Sequence, residues 1–243
     1  MRVLITAPLR QEKKIFVEFQ ESLDHLRVPD GVEVDRFFVV NDDPGIIPEI
    51  HGADYIEMNT RDRYQKTDRT HIWTADNLNK MPQLRNATIQ RALEGGYDYW
   101  WSVDTDLVLH PDTLEYLLEA DKDIVSEIFW TKTAGGGWWV NAWMYDQCDF
   151  DGHLKEWATP GLYQVGMTGA CTLVKRKVLE AGVDYSAIPN IRKALYGEDR
   201  WFCIRAVCHG FELWVDTHCP AEHLYRNSEY IKFMRSKAHG NDR

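Results

Sequence analysis

Tyr97-Asp98-Tyr99-Trp100-Trp101-Ser102-Val103-Asp104-Thr105-Asp106-Leu107 is the stretch on which the reading of the chain turns. An aromatic run of strand character ends in two carboxylates two residues apart. Carboxylates are hard oxygen ligands, and a pair at a strand end can hold one Mg²⁺ or Mn²⁺ while leaving coordination positions for phosphate oxygens. A strand that delivers two acids to a buried end with no cation would leave costly unpaired charge. An isolated Asp-x-Asp is more often only an acidic turn after a strand, so the surroundings decide.

Upstream, Val3–Ala7 predicts a first core strand, and residues 11–26 a helix with Ile15, Phe16, Phe19, Leu23 and Leu26 on one face. Pro29-Asp30-Gly31 is a turn. Val32–Val40 predicts a second strand that runs into the loop Asn41-Asp42-Asp43-Pro44-Gly45, and Asp54–Met58 a short third one. Residues 59–80 read as polar and irregular, with Arg61, Arg63, Lys66 and Arg69 close together. Pro82 to Leu93 predicts a helix that begins with proline and closes at Gly95-Gly96. After the aromatic strand, His110-Pro111-Asp112 opens a helix through Ala120, and Asp123–Phe129 is a strand. This alternation predicts an α/β fold: a single Rossmann-like, mostly parallel sheet with helices on both faces. Ligands of such sheets bind at the carboxyl ends of the strands, where Asp42, Asp43, Asp104 and Asp106 all fall.

Past residue 130 the pattern changes. Ala134-Gly135-Gly136-Gly137-Trp138-Trp139 is a glycine-rich segment running into aromatics. It reads either as a hinge whose Trp139 stacks on a sugar or closes over a ligand, or as a loop feeding a core strand through Val140, Ala142 and Met144. Asp149-Phe150-Asp151-Gly152 reads as a hairpin turn. Thr168–Lys175 predicts a strand, Arg176–Ala181 a short helix, Glu198–His209 a helix and Phe211–Val215 a last strand. The division expected is one domain over residues 1–225, with a ligand-binding half to 129 and a second half from 130, then a polar tail over 226–243.

The 243 residues and 44% hydrophobic content suffice for a sizeable core, and a net charge of −10 gives no sign of a polybasic nucleic-acid or membrane surface. An acidic protein can still hold an anionic nucleotide where a metal supplies positive charge. The apolar run at the N-terminus is too short for a signal peptide, and no stretch reaches membrane-spanning length, which together predict a cytoplasmic protein with no membrane span. The five cysteines, Cys148, Cys171, Cys203, Cys208 and Cys219, are odd in number and lack C-x-x-C spacing, the usage of reduced thiols.

With these pieces in place the chain resembles the GT-A glycosyltransferases, in particular their large family 2-like group. The likeness is a motif series in order over residues 1–225: the first strand and helix, Val39-Val40-Asn41-Asp42-Asp43, Leu84-Arg85-Asn86, Asp104-Thr105-Asp106, Val165-Gly166-Met167-Thr168-Gly169-Ala170, Gly197-Glu198-Asp199-Arg200-Trp201-Phe202, and a late His223. The resemblance implies that Thr6 and Pro8 floor a nucleotide pocket, that Asp42 or Asp43 bonds the base or ribose, and that Arg85 lines the sugar-nucleotide site. It implies that Asp104, with Thr105 beside it, lies near ribose and donor sugar. Asp104 and Asp106 would carry Mn²⁺ or Mg²⁺, Asp106 directly, with His223 as a further ligand and His218 as its competitor. Gly169 would lie against the donor sugar or acceptor. Asp199 would be the catalytic base and Glu198 a binder of acceptor hydroxyls; a helix-start acid pair favoured by the macrodipole is the plainer account. The expected reaction is transfer of a sugar from a nucleoside-diphosphate sugar, UDP-linked by preference, to a hydroxyl with inversion. The acceptor is left open: a glycan, a protein, a lipid-linked sugar, a small molecule or a modified nucleobase. A retaining transferase on the same fold is the alternative; a nucleotidyltransferase lacks support in Ala7-Pro8-Leu9-Arg10, and a carbohydrate-binding module leaves the acidic motifs unexplained. Three departures stand out: the second strand ends in Asn-Asp-Asp-Pro-Gly in place of the common Asp-Asp-Gly-Ser, Arg200 follows the acid pair, and the basic segment Arg61–Arg69 has no family role, reading either as a contact for diphosphate or a negatively charged acceptor or as a solvated loop.

Overall fold

Adjacent residues of a strand face opposite sides of a sheet, and Trp100 and Trp101 use that rule to anchor two cores. In the computed structural model, which describes residues 1–61, 65–66, 71–72, 75–133, 135–144, 150–191 and 197–239, both indoles are fully buried. Trp100 packs with Leu84, Tyr185 and Phe202, and Trp101 with Phe16, Phe19 and Phe38 on the other face.

The strands are β1 (Arg2–Leu9), β2 (Glu33–Asn41), β3 (Asp54–Met58), β4 (Gln65–Lys66), β5 (His71–Ile72), β6 (Tyr99–Ser102), β7 (Leu107–Val108), β8 (Ile124–Lys132), β9 (Trp138–Val140), β10 (Ala142–Trp143), β11 (Leu162–Val165), β12 (Met167–Thr168), β13 (Thr172–Lys175) and β14 (Leu213–His223). The main sheet runs β3-β2-β1-β6-β13-β8-β14-β11, with β7 on β14 and β9 on β8. β13 is antiparallel to both neighbours and β11 to β14; the remaining pairs along the path are parallel. The expected mostly parallel α/β sheet is therefore present. Its helices are α1 (Lys13–Asp24), α2 (Ala75–Glu94), α3 (Thr113–Glu119), α4 (Phe150–Trp157), α5 (Arg176–Glu180), α6 (Glu198–Cys208) and α7 (Asn227–Ala238). Core residues place α1 and α3 on the Trp101 face, and α2, α5 and α6 on the Trp100 face.

Four expectations change. α2 begins at Ala75, with Pro82 inside it: a proline removes a single intrahelical bond, and the turn before it continues. Asp149-Gly152 is not a hairpin turn from residue 150 onward, because Phe150–Trp157 is helical; Trp157 is 2% exposed and Leu154 packs on the same core, an i, i+3 anchor that outweighs Gly152. The strand expected over 168–175 breaks at Ala170 and Cys171, whose φ values are 49° and 41°. The last strand extends to His223, with a register irregularity between Asp216 and Ala221.

The polar tail contributes α7, none of whose residues is buried. It lies on α1 through polar links: Lys237 Nζ reaches Glu18 (2.9 Å) and Glu21 (2.6 Å), and Lys14 Nζ donates to Asn227 (2.6 Å). Among the described residues no helix is long and apolar enough to cross a membrane. Trp100 also donates its indole N–H to Thr88 Oγ1 at 3.1 Å. Trp100→Ala is expected to destabilise the fold by about 3–5 kcal/mol, read as a lowered urea midpoint at unchanged slope.

Candidate active site

The carboxyl ends of β1, β2, β6 and β8 gather the polar side chains that the sequence singles out. Thr6 is fully buried and in register with Ser102 on β6, and its hydroxyl donates to the Trp101 carbonyl at 3.4 Å. Pro8 pairs with Val39 at the same end. Beyond β2, Asp42 adopts φ 51°, a left-handed conformation that Asp tolerates in tight turns. Its carboxylate accepts from Thr60 Oγ1 (2.9 Å) and Arg61 N–H (3.3 Å). Asp43 leads into a short 3₁₀ helix, Pro44–Glu49.

Arg85 enters from α2. Its guanidinium donates to Ser102 Oγ at 2.8 Å and to Asp104 Oδ1 at 3.0 Å, and it lies over the Tyr185 ring at 5.4 Å. Burial opposes its charge, but Asp104, Asp199, Tyr185 and Glu198 outweigh that and hold its pKa above the ordinary arginine value. A buried, permanently charged fork beside a half-exposed Asp104 is an anion-recognising element.

Asp106 and His223 come together although 117 positions separate them in the chain. β14 ends antiparallel to β7, pairing His223 with Leu107, and Leu224 N–H donates to the Asp106 carbonyl at 2.7 Å. His223 Nε2 is thereby set 3.3 Å from Asp106 Oδ2. Its Nδ1 is bonded to Thr131 Oγ1 at 2.8 Å, which fixes the ring. His218 is engaged elsewhere: Nδ1 is 2.9 Å from Asp216 Oδ2, and the ring stacks on Tyr116 at 4.7 Å. A carboxylate facing an imidazole offers one oxygen and one nitrogen ligand, a pair that fits Mn²⁺ or Mg²⁺, with Asp104, held by Arg85, two positions earlier in the sequence and Thr105 buried between them.

Glu198 and Asp199 open α6. A Cβ at residue 169 would lie 2.5 Å from Asp199 Oδ2, so only glycine lets the two approach. Asn141 holds that glycine in place. Its carbonyl accepts from Gly169 N–H (2.9 Å), and its side-chain amide donates to the Gly169 and Glu127 carbonyls (2.9 Å each). The amide oxygen accepts from Phe129 N–H at 2.9 Å. Asp199 Oδ1 is buried with no hydrogen-bond partner among the described residues. Burial first, and the charge of Glu198 second, push its pKa up to about 8 against the pull of Arg85. Burial raises Glu198 as well. Enclosed carboxyls with a raised pKa and an oxygen left unbonded recur among groups that exchange protons in active sites. Gly169→Ala is expected to displace the Asp199 carboxylate and lower the catalytic rate by tenfold or more with the fold intact, because the added methyl meets a side chain and not backbone; steady-state rates alongside a thermal melt check this.

Trp139 lies in β9 opposite Thr131, the residue that bonds His223, and Trp138 and Trp139 are 49% and 50% exposed. The two readings of that segment thus divide: both indoles face outward, while Val140 and Ala142 enter the core. Of the basic run 61–69, the described part shows Arg61, whose carbonyl accepts from Lys80 at 3.2 Å, and Lys66 in β4; Arg63 and Arg69 lie outside the described residues. Sequence reasoning passed over Ser102, Thr131, Asn141 and Tyr185. Asn141 carried a signal: a single amide in the aromatic and apolar run Trp138-Trp139-Val140-Asn141-Ala142-Trp143 needs buried partners.

This architecture is that of the GT-A glycosyltransferases. Staphylococcus aureus TarS (residues 1–349) in complex with UDP superposes with a TM-score of 0.56 at 14% identity, over 97% of this chain and 64% of that one. The same protein with UDP-GlcNAc gives 0.54 at 13% identity, over 91% and 57%. A Drosophila β-1,4-galactosyltransferase 7 mutant in complex with manganese, UDP-Gal and xylobiose gives 0.50 at 15% identity, over 94% and 73%. The chain thus spans about 64% of the length of the TarS fragment it resembles. Comparison with curated proteins found no match. The family model described as glycosyltransferase family 25, N-terminal domain, matches residues 32–188. The chain belongs to that glycosyltransferase family.

Proposed function

We propose that the protein transfers a sugar from a nucleoside-diphosphate sugar, UDP-linked by preference, to an acceptor hydroxyl with inversion at the anomeric carbon. The observation that carries this reading is the convergence of the Asp106–His223 pair, the Arg85–Asp104 pair and the enclosed Asp199 at one end of the sheet. The complexes of TarS with UDP and UDP-GlcNAc and of the galactosyltransferase with manganese and UDP-Gal support the donor class.

Asp106 and His223, with Asp104, would hold the divalent ion, which when bound neutralises charge on the leaving diphosphate. Arg85 orients Asp104 and adds fixed positive charge behind it. Thr6 and Pro8 floor the nucleotide pocket, with Asp42 or Asp43 at the base or ribose. Gly169, lacking a side chain, makes room for the Asp199 carboxylate, beside which the donor sugar or acceptor would lie. Asp199, once ionised, accepts the proton of the acceptor hydroxyl as that oxygen attacks the anomeric carbon, and Glu198 bonds neighbouring acceptor hydroxyls. Half-exposed Trp139 offers a ring face to a sugar.

The test is to incubate the protein with UDP-sugars and GDP-mannose in the presence of Mn²⁺, measure nucleotide release with and without acceptor libraries, and determine the product anomer by NMR. Release of UDP with an inverted product supports the reading. A retained anomer transfers the case to the retaining alternative, and no turnover of any nucleotide sugar overturns it.

A further inference from the structure

On the face of the sheet opposite α6, beside α3, a second group of ligand-type side chains converges. His110 and Asp112 stand just ahead of α3, Cys219 belongs to β14, and one ligand atom from each lies within 4.8 Å of the others. Cys219 falls in the stretch where β14 slips register against β8, between Asp216 and Ala221, and such irregularities re-aim side chains. Its thiol is free and buried. Behind the cluster, Glu127, on β8 in register with Asp216, is fully buried; burial first and the Asp216 charge second hold its carboxyl well above the ordinary carboxylate range, with backbone hydrogen bonds from Ile128 and Cys219 opposing. Burial, followed by the charges of Glu127, Asp112 and Asp216, pushes the Cys219 thiol up to about 12, with Arg27 opposing. Acids therefore crowd a thiol, and the nearby cation Arg27 meets Asp112 from a largely exposed position. A dication can take the place of that guanidinium without leaving it buried.

We propose that His110, Asp112 and Cys219 form a second metal site, for a thiophilic divalent ion of the zinc class, separate from the donor site at Asp104, Asp106 and His223. One nitrogen, one carboxylate oxygen and one sulfur suit such an ion, whereas the hard ions expected at Asp106 prefer oxygen. On binding, the Cys219 S–H bond breaks, the proton leaves to solvent and the thiolate bonds the metal. The ion would tie the entry of α3 to the strand that ends in His223.

The experiment is a titration of the full chain with Co²⁺, followed by absorption of the thiolate-to-cobalt charge-transfer band, with bound zinc per chain measured by elemental analysis. One equivalent of cobalt is expected to produce the band in the wild type and in Asp106→Ala. Cys219→Ser should abolish it, and His110→Ala should weaken cobalt affinity by about tenfold or more. If Cys219→Ser does not fold, His110→Ala, at a half-buried position, carries the test alone. Absence of the band in wild type, or a band unchanged in these variants, overturns the proposal. Neither readout depends on glycosyl transfer, so the outcome is independent of the function proposed above.

Discussion

Asp199→Asn is expected to lower glycosyl transfer by about 10²–10⁴-fold, the usual contribution of a positioned general base, with UDP affinity little changed. The amide preserves the shape against Gly169, so the packing of α6 on that turn survives. What it removes is the ability to take a proton. The wild-type pH profile follows from the same carboxyl. Because burial and Glu198 push Asp199 up to about 8, the enclosed acid is protonated at lower pH and ionises as pH rises. The base works only ionised, so transfer should climb with pH through about 8 and level off above it. That limb should be missing from the residual activity of the asparagine variant. Full activity in a folded Asp199→Asn protein would remove Asp199 from the chemistry.

Asp106→Ala should be the other large loss, about 10²–10³-fold in transfer at saturating Mn²⁺, corresponding to the several kcal/mol that a Lewis-acid cation supplies to a developing negative charge. The backbone bond from Leu224 to the Asp106 carbonyl and the β7–β14 pairing do not need the carboxylate, so the strand end should stay in place. His223→Ala keeps both aspartates and is expected to lose less, about tenfold. Initial rates across a Mn²⁺ series separate the two: Asp106→Ala should respond little to added metal, and His223→Ala should recover partly. Equal and complete insensitivity of wild type to metal removal would contradict the assignment.

The parallel half of the fold was legible because local signals agreed. The Val3–Ala7, Val32–Val40 and Tyr97–Val103 runs are apolar and bounded by turns, and the acids at the ends of the second and third fall where such sheets bind ligands. The second half was less legible, because tertiary contacts override local chemistry there. Gly152 suggests a turn, yet Leu154 and Trp157 bury against the core and the segment is helical. Thr168–Lys175 has strand composition, yet Gly169 must approach Asp199, and Ala170 and Cys171 take left-handed backbone to allow it. Candidate site residues at strand ends could be named from spacing. Their partners could not, because the Asp106–His223 contact depends on the antiparallel return of β14 onto β7, and Asn141 acts through backbone groups of β8 and of the Gly169 turn. Of the two histidines left open by the sequence, His223 faces Asp106 and His218 bonds Asp216.

The most direct measurement is calorimetric titration of UDP into the wild-type chain with and without Mn²⁺, with GDP as the comparison. Metal-dependent UDP binding at one site per chain is the predicted result. No nucleotide binding with either base in the presence of Mn²⁺ or Mg²⁺ would contradict the account that Asp104, Asp106 and His223 form a metal-assisted donor site.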